Sequence, residues 1–251
     1  MSGTLKYEWV RISTVRSTWI LVVLGAVLPA FLALFVSWLI GSLGSEMGGP
    51  PEGAGNASAV GSFLTISAAV LCTIGAAAFG QEYRHGLIRI TLSTFPRRTP
   101  IFVAKAVLVA LFIAIAGAVS IAAITVGDAL GGAVAGTGLV WDDTIIGTPG
   151  LRAVLYLVLF VLMAFAITAL TRNQPLGIIL PIVLAAVVEP IISTVAFVQE
   201  WTWMDWVLPF TGGAASVDLQ GAEGWGHLGV FFLWFLALTV PAWVLFVRRD
   251  A

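Results

Sequence analysis

Charged side chains are scarce in this sequence, and their scarcity decides the class of protein. They make up 10% of the 251 residues, while hydrophobic residues make up 59% and the mean hydropathy is +1.03. Soluble domains carry about 25% charged residues and about 45–50% apolar ones. A chain of this composition has too little polar surface to cover a soluble domain, so we predict an integral membrane protein.

Several kinds of chemistry are also missing. Cys72 is the sole cysteine, which excludes an intrachain disulfide and a CxxC metal site. There is no G-x-x-x-x-G-K-[ST] motif, so the chain cannot hold nucleotide phosphates by that route. The two histidines, His85 and His227, are predicted on opposite sides of the membrane and so cannot share a metal ion. Because no motif joins a nucleophile to a base, we predict a chain that is not an enzyme and holds no cofactor itself.

Hydrophobic runs of about 20 residues recur along the chain, and each can cross a hydrocarbon core of about 30 Å. The polar segment Met1–Ser17 predicts an interfacial helix. A cleaved signal peptide is the alternative, but the apolar run that follows is longer than a signal h-region. We predict an all-α membrane protein with one transmembrane domain over residues 1–251. Its six predicted spans are residues 18–40, 60–79, 101–126, 151–170, 176–198 and 228–247.

The basic residues fall almost entirely on one side of these spans. Of the 12 lysines and arginines, only Arg152 falls on the side opposite both ends of the chain. Basic loops mark the cytoplasmic side of a membrane protein. We therefore predict that both termini and the segment between spans two and three are cytoplasmic. Lys105, near the start of span three, is expected to snorkel to that interface.

Small residues recur at intervals of four in span three, at Ala106, Ala110, Ala114, Ala118 and Ala122. Such a row lets another helix backbone approach closely. It predicts a helix-packing seam along span three.

The segment between spans two and three is both charged and patterned as a helix. Read as a helix from Gln81 to Thr94, it has an apolar face at spacings of three and four, and Pro96 ends it. Its polar face consists of Glu82, His85, Arg89 and Ser93. We predict an amphipathic helix that lies in the membrane surface and docks a partner. The alternative is a solvated helix in which Arg97 and Arg98 only set the topology.

Glu189 is an ionisable residue within an apolar run, and Pro190 follows it. An intramembrane carboxylate invites a role in binding a proton or a cation. The alternative, which we favour, is that Pro190 breaks the helix. Residues 191–208 would then form a short re-entrant or interfacial pair of helices before span six, and Glu189 would cap a helix or face an aqueous vestibule.

The residues after span two resemble a family signature. Glu82-Tyr83-Arg84-His85-Gly86 is followed by Thr91-Leu92, by Pro96-Arg97-Arg98 and by Lys105. This run resembles the E-x-x-x-G-T-[LI]…L…P-x-[SR]-R…K signature of ABC-2 type exporter permeases, in an actinobacterial-like form. Leu87 stands where the family usually has threonine, so no hydroxyl contact is expected there. The number of predicted spans and the N-terminal interfacial helix agree with the same family.

The resemblance implies a transport subunit that hydrolyses no ATP itself. A separate ABC ATPase, which binds ATP and Mg²⁺, would dock on the cytoplasmic side of a bacterial plasma membrane. Two permease chains, identical or homologous, would form the exporter among membrane lipids, and no nucleic acid is expected as a partner. Glu82 to Leu92 would form the coupling helix. The coupling residues implied are Glu82, Tyr83, Arg84, His85, Gly86, Leu87, Arg89, Pro96, Arg97 and Arg98.

The sequence leaves more than one substrate and more than one mechanism open. An apolar, aromatic-lined pathway suits a lipophilic or amphipathic substrate such as a drug, a peptide or a lipid. A secondary transporter driven by an ion gradient needs polar groups in mid-membrane, and apart from Glu189 the spans offer almost none. A membrane-embedded enzyme usually clusters His, Asp or Glu near one face, a pattern that this sequence does not show. A non-transporting anchor stays open.

Overall fold

The computed structural model describes residues 2–47, 56–86, 98–136, 147–201 and 224–248. Within these ranges the regular secondary structure is helical and no strand occurs, which confirms the predicted fold class. The elements in chain order are α1 (Ser2–Thr14), α2 (Arg16–Met47), α3 (Asn56–Arg84), α4 (Arg98–Val134), α5 (Thr148–Thr171), α6 (Gln174–Val183), a π-helical turn (Leu184–Val188), α7 (Glu189–Val198) and α8 (Gly224–Arg248).

Six stretches of these helices are long and apolar enough to cross a membrane, as predicted. They are Arg16–Leu43, Ala59–Arg84, Arg98–Val134, Thr148–Thr171, Gln174–Ala196 and Trp225–Arg248. The 37 residues of α4 make it the longest of the six. At 1.5 Å per residue α4 extends about 55 Å, well beyond a hydrocarbon core of about 30 Å. It therefore projects beyond the apolar layer, even when tilted.

Helix α5 is at the centre of the bundle. Its most apolar window is 78% buried, against 22% for that of α2 and 17% for that of α8. It packs against α3, α4, α6 and α8. Large apolar side chains on α2 and α8, such as Phe31 and Leu233, stay exposed. Such faces suit contact with lipid tails, which are as apolar as the side chains themselves.

Helices α2 and α4 approach each other closely at a glycine that lies outside the predicted alanine row. A Cβ at Gly127 would collide with the carbonyl oxygen of Ala30, so only glycine fits there. The first alanines of the row pack against the core. Ala118 and Ala122, however, are exposed. The described residues of this chain leave the second half of the seam uncovered, so that half stays a prediction.

One end of the bundle, which we call the α1 side, gathers the ends of most helices. It comprises α1, the end of α3, the start of α4, the turn between α5 and α6, and the end of α8. Lys105 of α4 contacts Glu8 of α1 there, and Arg98 donates a hydrogen bond to the carbonyl oxygen of Val247 in α8. The start of α6 packs against the end of α3 at the same level. The basic residues of these segments thus share one side, in agreement with the grouping in the sequence.

The predicted helix from Gln81 to Thr94 does not begin where the periodicity places it. Helix α3 continues without a break through Gln81 to Arg84, and His85 and Gly86 form a turn. The φ angle of Gly86 is +66°, a left-handed conformation that glycine adopts freely and that commonly ends helices. The first turn of the predicted helix is therefore the last turn of span two. Residues 87–97 lie outside the described part of the chain.

Pro190 does not break span five. The π-helical turn precedes α7, which continues through Pro190 to Val198. Within that turn the N–H of Glu189 donates to the carbonyl oxygen of Leu184, five residues back. A wider turn shifts the hydrogen-bond register and accommodates a proline, which has no N–H to donate. The predicted break is wrong, and residues 202–208 of the predicted re-entrant region lie outside the described residues.

Candidate functional site

The side chain of Lys105 is fully buried where α1, α3 and α4 meet. Its Nζ donates to Glu8 Oε1 at 2.6 Å and to Glu82 Oε1 at 2.5 Å. A third bond runs to the carbonyl oxygen of Ala78 at 3.3 Å. An ammonium group has three donors, so all of them are used. Lys105 does not snorkel to the interface as predicted, because its partners lie inside the bundle.

Arg11 of α1 contacts the same two carboxylates from the other side. Its Nη1 donates to Glu82 Oε1 at 2.9 Å, and its Nη2 lies 2.8 Å from Glu8 Oε2. The Nη2 group also donates to the carbonyl oxygen of Ala78 at 3.1 Å. Each cation therefore contacts both acids, and the four side chains form a closed ring of alternating charge. We call Glu8, Arg11, Glu82 and Lys105 the ion ring.

The ion ring is almost sealed from solvent. The side chains of Glu8 and Lys105 are 0% exposed, that of Glu82 is 3% exposed, and that of Arg11 is 18% exposed. Two formal positive charges balance two negative ones, so the ring as a whole brings no net charge into the protein. A buried charge is tolerated only when it is paired and hydrogen-bonded. Removal of any one member would leave a buried charge without its counterpart.

Local helix geometry brings these groups together. Glu8 and Arg11 are three residues apart, which places both on one face of α1. Ala78 and Glu82 are four residues apart on α3, so the carbonyl oxygen and the carboxylate point toward the same neighbour. Lys105 is in the second turn of α4. Three helices each contribute one part of the ring, and none of them could build it alone.

A cluster of aromatic rings lies next to the ion ring. The Nζ of Lys105 is 5.5 Å from the ring centroid of Phe79, within the range of a cation–π contact. The centroid of Phe79 lies 4.9 Å from that of Phe165, 5.2 Å from that of Phe246 and 5.7 Å from that of Phe102. These rings belong to α3, α5, α8 and α4. The phenylalanine cluster therefore joins four spans beside the ring.

Glu82 does not face water or a partner as the predicted polar face requires. Glu82 is 2% exposed, because its carboxylate turns inward to Arg11 and Lys105. Tyr83 is half-buried and stacks on Phe79 with centroids 6.1 Å apart. The predicted outward orientation of Glu82 is thus wrong, while its role in coupling stays a prediction.

The other predicted coupling residues divide into two groups. Arg84, His85 and Gly86 are exposed at the end of α3. Arg98 is the first residue of α4, and its Nη1 lies 3.5 Å from the carbonyl oxygen of Phe246. Leu87, Arg89, Pro96 and Arg97 lie outside the described residues.

Glu189 is not part of the ion ring. It lies at the junction of the π-helical turn and α7, in span five, and is 2% exposed. A carboxylate buried there does not cap a free helix end and does not open to a vestibule. That part of the prediction is wrong, while a role for Glu189 in transport stays a prediction.

Sequence reasoning misses Glu8 altogether and treats Arg11 only as a topology signal. The available signal is the spacing Glu8-x-x-Arg11 in a segment with few acids. This pattern also occurs on many solvated helices. Only the packing of α1 against α4 shows that Glu8 is fully buried and that Arg11 is largely buried beside it.

The described part of the chain offers no metal site. No group of three or more His, Cys, Asp or Glu side chains lies close enough to hold a metal ion among those residues. In the ion ring the counter-charges of the two carboxylates are the side chains of Lys105 and Arg11.

Comparison with known proteins identifies the family. The model of a family described as "ABC-2 family transporter protein" matches residues 4–189. The match begins in α1, ends at the first residue of α7 and includes every member of the ion ring. No protein of curated function matches the chain.

Proposed function

Because this chain belongs to the ABC-2 family of transporter proteins, we propose that it is the permease subunit of an ATP-driven exporter and that its ion ring transmits the movement of a separate ATPase to the spans. Membrane proteins of this family work with ABC ATPase subunits. The partner would bind ATP and Mg²⁺, and this chain would bind neither. The transported substrate would be lipophilic or amphipathic.

The closed ring of charge is the observation that carries this proposal. It joins α1 and the ends of α3 and α4, between which the predicted coupling segment lies. A force applied to residues 85–97 would reach Glu82 on one side and Lys105 on the other. Because both side chains are bound to α1 and to each other, the three helix ends would move as one body.

The phenylalanine cluster supplies the second step of the proposed transmission. Phe79 lies less than one turn of α3 from Glu82 and contacts rings on α4, α5 and α8. Packed interiors shift between discrete arrangements rather than deform continuously. Displacement of the end of α3 would therefore repack three other spans together.

The exposed turn at the end of α3 would be the docking surface. Arg84, His85 and Gly86 are accessible there, and Leu87, Arg89, Pro96, Arg97 and Arg98 follow in the sequence. We propose that His85, Gly86 and the residues that follow them contact the ATPase, while Glu82 acts inside the protein and touches no partner. The α1 side would then be cytoplasmic, in keeping with its arginines and lysines. A second permease chain would complete the exporter.

The test is reconstitution. The chain would be purified with the ABC ATPase that accompanies it in its own membrane, and ATP hydrolysis and uptake of a lipophilic dye would be measured in vesicles. We expect uptake that requires ATP and both subunits. Dye movement by the purified chain alone under a proton gradient would contradict the proposal and favour a secondary transporter. Hydrolysis by the complex without any uptake would favour an anchor.

A further inference from the structure

A cavity of about 450 Å³ opens on the α1 side, between the end of α3 and the turn that joins α5 to α6. Its volume is in the range of sites that hold small molecules. It is separate from the ion ring, and none of the four ring residues lines it. Its described lining residues are Gly80, Tyr83, Arg84, Arg172, Asn173, Gln174, Pro175 and Ile178.

The polar part of the lining is basic. It contains the guanidinium groups of Arg84 and Arg172 and the amides of Asn173 and Gln174, and none of the described lining residues is acidic. The acid nearest in sequence, Glu82, is held in the ion ring. Guanidinium and amide groups together form a donor set for phosphate oxygens.

Arg172 is held in position at this wall. Its φ is 55°, and its backbone N–H donates to the carbonyl oxygen of Thr168 at 2.8 Å, which ends α5. Its guanidinium carbon lies 5.6 Å from the ring centroid of Tyr83. The fixed backbone and the aromatic contact reduce the freedom that this side chain would lose on binding a ligand.

The other part of the cavity is apolar and adjoins the lipid-facing side of α6. Pro175 and Ile178 line the cavity. Leu176, Ile179 and Leu180 on the same helix are exposed. The site therefore presents donors for an anionic group at the membrane boundary and an apolar surface leading along the span.

We infer that this cavity binds the phosphate headgroup of an anionic glycerophospholipid, with the acyl chains along α6. Basic pockets between spans are a recognised mode of headgroup binding. The walls of the cavity are held together, because Gln174 packs so tightly on Gly80 that a Cβ at that glycine would collide with it. The inference requires neither an ATPase nor a direction of transport.

The experiment uses the full chain, purified, delipidated and returned to micelles. Phosphatidylglycerol and phosphatidylcholine are titrated separately, and bound lipid is counted by native mass spectrometry. The variant pair is Arg84→Gln with Arg172→Asn, because asparagine adopts positive φ more readily than most residues. The matched control is Arg16→Gln with Arg248→Gln, which removes two exposed arginines of the α1 side that do not line the cavity.

We expect the wild-type chain to prefer phosphatidylglycerol. The cavity pair should weaken that binding about tenfold or more, since each basic group near an anionic surface contributes substantially. The control pair should bind within about twofold of wild type. Equal losses in both pairs would indicate a general charge effect and overturn the inference, and so would equal affinity of wild type for the two lipids.

Two further arms separate other ligands. Displacement of phosphatidylglycerol by millimolar inorganic phosphate would assign the site to a soluble phosphorylated compound and overturn the lipid assignment. Unchanged lipid binding with loss of ATPase association in the cavity pair would assign the surface to the ATPase and overturn it as well. If the pair does not fold, Arg84→Gln alone decides, because that side chain is exposed.

Discussion

The carboxylate of Glu82 and the ammonium group of Lys105 lie 2.5 Å apart, although 23 positions separate them in the chain. Glu82 is near the end of span two, and Lys105 is near the start of span three. The end of one span is therefore tied to the start of the next, and α1 is tied to both through Glu8. Such a tie has consequences for stability and for coupling, and both can be measured.

Loss of the central cation should destabilise the protein. In Lys105→Met, Glu8 and Glu82 stay buried without the ammonium group between them. Breaking a buried pair in this way costs about 3–5 kcal/mol. Lys6→Met is the matched control, because Lys6 is an exposed lysine of α1. The free energy of unfolding of both variants is measured in mixed micelles. Equal stability of the two variants would contradict a buried ring.

Removal of one acid and one base together should cost less than the two separate changes. Arg11→Gln with Glu82→Gln leaves Glu8 and Lys105 as a neutral pair. Groups within one network typically couple by about 0.5–3 kcal/mol. A double-mutant cycle on the free energy of unfolding gives this value, and strict additivity would show that Arg11 and Glu82 do not share the ring.

Phe79 should be more important than its size suggests, because its ring touches three spans besides its own. We expect Phe79→Ala to cost about 3–5 kcal/mol, as large-to-small changes in aromatic cores do. Phe232→Ala on the lipid-facing side of α8 is the control, since Phe232 is 45% exposed. The measurement is the difference in unfolding midpoint between the two variants. Equal midpoints would show that the phenylalanine cluster does not stabilise the protein.

Gly86 should tolerate asparagine and reject proline. Its φ of +66° is accessible to asparagine but not to proline, and a Cβ at this position would meet no other atom within 4 Å. We expect Gly86→Pro to uncouple ATP hydrolysis from dye uptake and Gly86→Asn to retain coupling. The ratio of uptake to hydrolysis in vesicles distinguishes them. Normal coupling in both would exclude this turn from the mechanism.

Glu189→Gln should preserve transport. The carboxylate is buried in a helix that continues past it, and glutamine has nearly the same shape. Uptake by the reconstituted complex tests this directly, with assembly checked by size-exclusion chromatography. Loss of uptake in an assembled, folded complex would instead assign Glu189 a role in binding a proton or a cation.

The spans can be predicted because each is a continuous local signal. About 20 apolar residues in a row identify a membrane helix whatever it packs against.

Helix ends are harder to predict. The periodicity after Phe79 continues past Gly86, and only the glycine itself indicates that α3 ends there. Pro190 suggests a break in the helix, yet the π-helical turn before it accommodates the proline and the helix continues.

The ion ring could not be predicted because its members are far apart in the sequence. Glu8 and Arg11 look like solvated residues of an interfacial helix, and Lys105 looks like an interface anchor. Their burial follows from the way α1 packs across α3 and α4, and no local pattern encodes that packing. Glu82 stands out through the family signature, but its inward direction depends on Lys105.

Helix α4 has a length that matters once one of its ends is fixed. Lys105 holds it near the α1 side, and the remaining residues to Val134 form an arm of about 44 Å. Rotation of that arm by about 5° would carry its far tip roughly 4 Å. A small rocking at one membrane surface is thereby magnified at the other, in the manner of a lever.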